Sequence, residues 1–143
     1  MSLAQEQLQD ETHRVVLALE AILGRTSQWS GRVTLTDNPD VRGRKPFSCD
    51  IVLNENLTGL DVRWRTIIHE ALHSFSAGYN FTDYQLNRGW EEGVVESLQR
   101  LWRQKILRRL GLVVENSVFI ELEIGHDYNT YIDALERLRS EFS

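Results

Sequence analysis

The sequence has one cysteine, Cys49, two prolines and one methionine among its 143 residues. A single cysteine excludes an internal disulfide framework and a cysteine-built metal cage. No apolar run approaches the roughly 18 residues that a membrane helix requires. Positive charge is not in excess either: 16 basic residues against 21 acidic ones leave a formal net charge of −5. A general affinity for nucleic acid therefore has no electrostatic basis. The start of the chain is polar (Gln5-Glu6-Gln7, then Gln9-Asp10-Glu11) and lacks the basic-then-apolar order of a signal peptide. The expected setting is cytoplasmic, with no membrane partner. Repeats, low-complexity stretches and linkers are missing as well. With 41% hydrophobic and 26% charged residues, the chain has apolar matter for one core, so residues 1–143 are expected to form one domain.

Apolar residues at Leu8, Val15, Val16, Leu19, Ile22 and Leu23 predict a helix from Leu3 to about Leu23, stopped by Gly24. Arg32 to Thr36 is a strand candidate that ends at Asp37-Asn38-Pro39. Val41 to Pro46 is expected to be a basic loop, and Phe47 to Leu53 a second strand. Thr58-Gly-Leu-Asp61 has the form of a capping box and predicts a helix running to about Phe75 or Ser76. Gly78 to Asn87 is expected to be a loop, with Asn87 capping a long helix from about Arg88 to Leu110 that Gly111 ends. Leu112 to Ile124 has β character. Thr130-Tyr-Ile-Asp133 is a second capping box, opening a terminal helix to about Phe142. This order predicts an α+β fold.

The chemistry concentrates in two helices. His69 and His73 are four residues apart, share a helical face and can hold one cation. Glu70 lies beside that face, placed to act on a metal-bound water without ligating the metal; this is the physical content of an HEXXH helix. Trp64, Ile67, Ile68, Leu72 and Phe75 supply apolar surface for burying it. A catalytic zinc ion takes three protein ligands and one water. Glu92, on the next helix, is the expected third ligand. Glu96 follows by one turn and is expected to accept the other ring N–H of His69 or His73. The bland alternative for Glu91, Glu92 and Glu96 is a solvated face.

His69-Glu-Ala-Leu-His73, eighteen residues and then Glu92 resembles the HEXXH-x18-E signature of the gluzincin metallopeptidases, notably the aminopeptidase N group. Gly89-Trp-Glu-Glu-Gly-Val-Val-Glu96 is similar to that family's Asn-Glu-Gly-x-x-Glu segment, with Glu91 where Asn is usual. The likeness spans Ile67 to Leu98. It implies a zincin-like fold, with a small mixed sheet packed on the HEXXH helix, the glutamate-bearing helix and terminal helices. It also implies Zn²⁺ and hydrolysis of a peptide or protein substrate, with Glu70 as general base. The exopeptidase Gly-x-Met-Glu-Asn motif of the aminopeptidases is absent, so endopeptidase action in a minimal single-domain form is the expectation. In gluzincins the oxyanion is usually met by a downstream Tyr or His. Tyr128 is the first choice here, then His126, then Tyr131. Phe47 to Leu53 is expected to run beside the metal helix as an edge strand open to an extended peptide. The alternative from a different class is a silent zincin-like module that binds metal or peptide, or scaffolds a phage- or toxin-associated assembly.

Neighbouring families fail on particular positions. A metzincin needs Gly at 76 and His at 79, where the chain has Ser76 and Tyr79; a deformylase needs Asp at 72, where it has Leu72. Asp83 is the aspzincin-type alternative ligand. The cations Arg100, Arg103, Lys105, Arg108 and Arg109 are expected to form a solvated helical face, and Trp29, Trp64, Trp90 and Trp102 to be core. Cys49 is expected to be structural, within a strand. Glu121 and Glu123 are acids that a latent form would bring toward the metal.

Overall fold

The fold is taken from a computed structural model, which describes residues 2–44, 49–76 and 81–141; at 44 and 81–87 it describes the backbone. It is a mixed α+β arrangement of five α-helices and one small sheet. Helix α1 spans Leu3–Leu23. Ser2 caps it, its side chain accepting from the Gln5 N–H at 3.1 Å. Gly24 ends it in the left-handed region at φ 64°, returning its N–H to Glu20. Strand β1 is Val33–Thr36, β2 is Gly43–Arg44 and β3 is Ile51–Asn54. The order across the sheet is β1-β3-β2, with β1 parallel and β2 antiparallel to β3. Helix α2 is Arg63–His73, α3 is Phe81–Arg109, α4 is Ser117–Glu123 and α5 is Asn129–Glu141.

Every residue of α2 from Trp64 to His73 is buried. The helix lies between α1, α3 and the sheet. Its apolar face joins Leu8, Val15 and Leu19 of α1 and Ile51 and Leu53 of β3 in one core. Outside that core, the Arg63 guanidinium holds the Glu11 carboxylate through Nε–Oε1 at 2.9 Å and Nη2–Oε2 at 2.7 Å, tying α2 to α1. Gln5 and Gln9 of α1 bind the backbone of Val33: Gln5 donates to its carbonyl, and its N–H donates to Gln9 Oε1 at 2.8 Å. Among the described residues, no helix is long and apolar enough to cross a membrane.

Several expectations are corrected. Thr58 does not cap α2. It closes a single 3-10 turn over Glu55–Leu57, with its hydroxyl donating to the Glu55 carbonyl at 2.9 Å, and α2 starts at Arg63 without a side-chain cap. Asn87 is not the first position of the long helix, because α3 begins six residues earlier at Phe81; residues 78–80 of the expected loop lie outside the described residues. The run Leu112 to Ile124 is not a strand. Its middle forms α4, around the buried Phe119. The expected basic loop contains β2. The second strand is shorter than expected: β3 starts at Ile51, Phe47 and Ser48 lie outside the described residues, and Cys49 sits before the strand with φ 72°. Moreover β3 is the central strand, so the edge strand beside α2 is β2. Thr130 lies inside α5, whose first residue is Asn129; Phe142 lies outside the described residues. Trp64 is core, while Trp90 is exposed.

Candidate metal centre

The α2–α3 interface is polar along its length, which follows from spacing on both helices. Arg65, His69 and His73 recur every four residues on α2, and Glu92, Glu96, Gln99 and Arg103 recur every three or four on α3. All seven are buried. Polar groups withdrawn from water require partners, and Arg65, His69 and His73 find theirs on α3, although Arg65 Nε and Arg103 Nε stay without a hydrogen bond.

At one end of the interface the two imidazoles meet one carboxylate. His69 Nε2 lies 2.9 Å from Glu92 Oε2, and His73 Nε2 lies 3.2 Å from the same oxygen. The rings stand nearly edge to face, 5.1 Å between centroids. One ligand atom from each of His69, His73 and Glu92 lies within 4.8 Å of the others, a group that can hold a metal ion. The opposite ring nitrogens are fixed as well. His69 Nδ1 is 3.0 Å from Glu96 Oε1, and His73 Nδ1 is 3.0 Å from Glu91 Oε1. An ionised carboxylate only accepts, so each Nδ1 carries a proton, and without a metal each inward-turned Nε2 also donates to Glu92.

The carboxylates behind the rings are held in turn. Glu96, fully buried, accepts from Arg65, from Arg100 Nε at 2.9 Å and from Gln99 at 3.2 Å. Glu91 accepts from the Ser76 hydroxyl at 3.1 Å. Glu96 thus backs His69, one of the two histidines open to it in the sequence. Glu91, which pattern alone left on a solvated face, backs His73. The signal that could have found it is its neighbour: the residue beside a ligand on α3 lies near the second histidine. Arg65 was also missed, although it stands one turn before His69 on the same face.

Protonation follows from these contacts. Burial disfavours charge on His73, but the hydrogen bonds to Glu91 and Glu92 outweigh it and raise its pKa to about 10. His69 is raised in the same way: burial opposes, while Glu92 and Glu96 prevail. Burial likewise pushes the Glu92 carboxyl up, yet the two imidazoles hold it far below its ordinary range. For Glu96, burial is overcome by His69 and then Arg65, leaving it at about 2. The carboxylates of Glu91, Glu92 and Glu96 thus favour positive charge on the two imidazoles.

A cleft of about 360 Å³ opens beside the cluster. Its floor is Arg65, Thr66, His69 and Glu70, one wall is Pro39 to Gly43, and the other is His126 and Tyr128. The first wall is set by buried Asn54, whose side-chain amide donates to the carbonyls of Asn38 at 2.8 Å and Val41 at 2.7 Å. Gly43 is required there: a Cβ would come within 2.6 Å of Thr66 Cγ2 and 3.1 Å of Glu70 Cγ. The edge strand therefore lies directly on the helix that carries Glu70.

On the opposite wall, the Tyr128 ring stacks on His69 at 6.2 Å between centroids. Burial, then the charge of Glu92, raises its pKa to about 12, so the phenol keeps its proton at neutral pH. The Tyr128 N–H donates to His126 Nδ1 at 3.2 Å. That places the proton of neutral His126 on Nε2. Burial, then the charge of Arg65, lowers its pKa and keeps it neutral. Tyr131 does not reach the cleft wall; it packs on α3.

Two further expectations fail here. Glu123 turns to Arg103 and Arg100 rather than to His69, His73 and Glu92, and Glu121 is exposed. Nor do the cations of α3 form one solvated face. Arg103 is 2% exposed, donates to Gln99 at 2.9 Å and covers the Phe119 ring at 4.4 Å, while Lys105, Arg108 and Arg109 are exposed. Asp83 belongs to the opening turns of α3. No family model, curated protein or solved structure matches the chain.

Proposed function

We propose that the protein is a zinc-dependent endopeptidase of gluzincin type, with His69, His73 and Glu92 as ligands, Glu70 as general base and Tyr128 as oxyanion donor. The observation that carries this reading is the convergence of both Nε2 atoms on Glu92 Oε2, with Glu70 in the floor of the adjoining cleft. Two imidazoles and one carboxylate are a donor set that suits Zn²⁺. Bonds of about 2.0–2.1 Å in a tetrahedron set ligand atoms about 3.3 Å apart, close to the 3.2 Å between His73 and Glu92.

When bound, the ion supplies Lewis acidity and lowers the pKa of a coordinated water to about 7. Glu70 takes the proton of the attacking water and returns it to the departing amine. The protonated Tyr128 phenol donates to the developing oxyanion, with neutral His126 beside it as a second donor. Edge strand β2, antiparallel within the sheet, offers an extended peptide its backbone along the cleft. A silent binding module needs neither a buried base nor a phenol held over the ligand, so the hydrolytic reading accounts for more of the site.

The test is metal content and hydrolysis of a quenched-fluorescent peptide mixture by wild type and Glu70→Gln. One zinc per chain in both, with hydrolysis reduced about 10²–10⁴-fold in the variant, supports the reading. Wild-type protein that takes up no zinc, or a variant as active as wild type, overturns it.

A further inference from the structure

Tyr128 immediately precedes helix α5, none of whose residues is buried. The helix packs on α3. Gly89 and Gly93 lie one turn apart on α3, and Tyr131 rests lengthwise across both. A Cβ on Gly89 would fall 2.1–2.3 Å from three atoms at the hydroxyl end of the Tyr131 ring, and one on Gly93 would fall 2.6 Å from Tyr131 Cβ. Glycine inside a helix costs about 1 kcal/mol relative to alanine. Two of them one turn apart here make a notch that only their missing side chains allow. Trp90 closes one side of it, edge-on to Tyr131 at 5.7 Å.

The notch and the metal site belong to the same helical turn. Glu92 lies between the two glycines and projects toward α2, while the notch receives α5. The Tyr128 carbonyl accepts from the Ile132 N–H at 3.1 Å, so the backbone of Tyr128 moves with the first turn of α5. Asn129 adds a second tie. It accepts from Arg100 at 2.8 Å and donates to the Glu123 carbonyl at 3.0 Å.

We propose that Tyr131 is a positioning residue: seated in the Gly89/Gly93 notch, it fixes where the Tyr128 ring stands over His69. The inference rests on the hydrolytic reading only for its consequence in catalysis, since the placement itself is a matter of packing. A methyl group under the Tyr131 ring lifts α5 by an ångström or more, and a shift of about 1 Å at a reacting centre lowers rate about 10²-fold.

Gly89→Ala, Tyr131→Ala and Tyr131→Phe, each loaded with Zn²⁺, are compared by three measurements. These are zinc affinity by chelator competition, the nuclear Overhauser contact between the Tyr128 and His69 rings, and hydrolysis of the peptide mixture. The expected result is unchanged zinc affinity in all three. The ring contact is lost and kcat falls about 10²-fold at similar KM in Gly89→Ala and Tyr131→Ala, and Tyr131→Phe restores both. Tyr131→Ala introduces no clash, so it decides the matter if Gly89→Ala does not fold. A ring contact that survives in Tyr131→Ala overturns the proposal. An inactive wild type whose contact is lost in Tyr131→Ala and kept in Tyr131→Phe supports the positioning and counts against the peptidase reading alone.

Discussion

Tyr128 lies over His69 with the two rings 16° from parallel, although 59 positions separate them in the chain. The contact joins the end of the molecule with no buried helix to the most buried helix it has. Replacing Tyr128 by Phe keeps that stack and removes the phenolic proton donor. The expected outcome is a fall in kcat of about 10²–10³-fold, the cost of one oxyanion donor, with zinc content unchanged in elemental analysis.

Glu91 and Glu96 each hold one imidazole by its Nδ1. Glu91→Ala frees His73 to rotate and exposes its Nδ1 to water, so zinc affinity should drop about 10–100-fold in a chelator competition. Ser76→Ala, one bond further out, should have a smaller effect in the same direction.

Glu96 is also the anion that two arginines share. Glu96→Ala leaves Arg65 and Arg100 beside a buried gap, with Glu123 at 3.8 and 3.6 Å as the anion they still share. Removal of one partner from a buried pair costs about 3–5 kcal/mol. Urea denaturation of the metal-free variant should show a loss of that order, whereas removal of the exposed Glu136 partner of Arg139 should cost less than about 1 kcal/mol.

The metal-free protein should have a bounded range of pH stability. The pKa of Glu96 is about 2 when folded, against an ordinary 4.5, and that of Glu92 is lowered further. Their contribution is present above pH 4.5 and is lost as pH falls through the folded values. The pKa of His73 is about 10 when folded, against 6.5. Its contribution is complete below pH 6.5 and is lost as pH rises toward 10. Melting temperature in the presence of chelator should therefore be highest between about pH 4.5 and 6.5. Zinc requires the histidines unprotonated, so its added stabilisation should grow with pH across that alkaline limb.

The group that can hold a metal ion, His69, His73 and Glu92, was legible because it depends on spacing within single helices. His69 and His73 share a face at any register, and Glu92 and Glu96 share one on α3. The first helix was legible for the same reason, from Leu8 to Gly24. What was not legible depends on partners remote in sequence. Thr58 and Thr130 both have capping-box form, but a hydroxyl followed by an acid caps whichever turn the tertiary structure starts there, and neither begins its helix. Leu112 to Ile124 is rich in residues that favour strands, yet Phe119 under Arg103 fixes it as a helix. Arg100 and Arg103 look like surface charge until Glu96 and Glu123 are placed opposite them. The strand beside Glu70 was missed because β2 is two residues long, below the reach of an alternation pattern.

The three-stranded sheet has two borders, and they differ in how they meet the solvent. On the β1 side, the amides of Gln5 and Gln9 occupy both hydrogen-bonding groups of Val33, as a further strand would do. On the β2 side the border runs beside the floor of the cleft. The two borders therefore differ: the amides of Gln5 and Gln9 block lateral pairing at Val33, whereas β2 lies next to Glu70. An extended segment that joined this sheet would therefore do so on the cleft side, alongside Glu70, and not along α1.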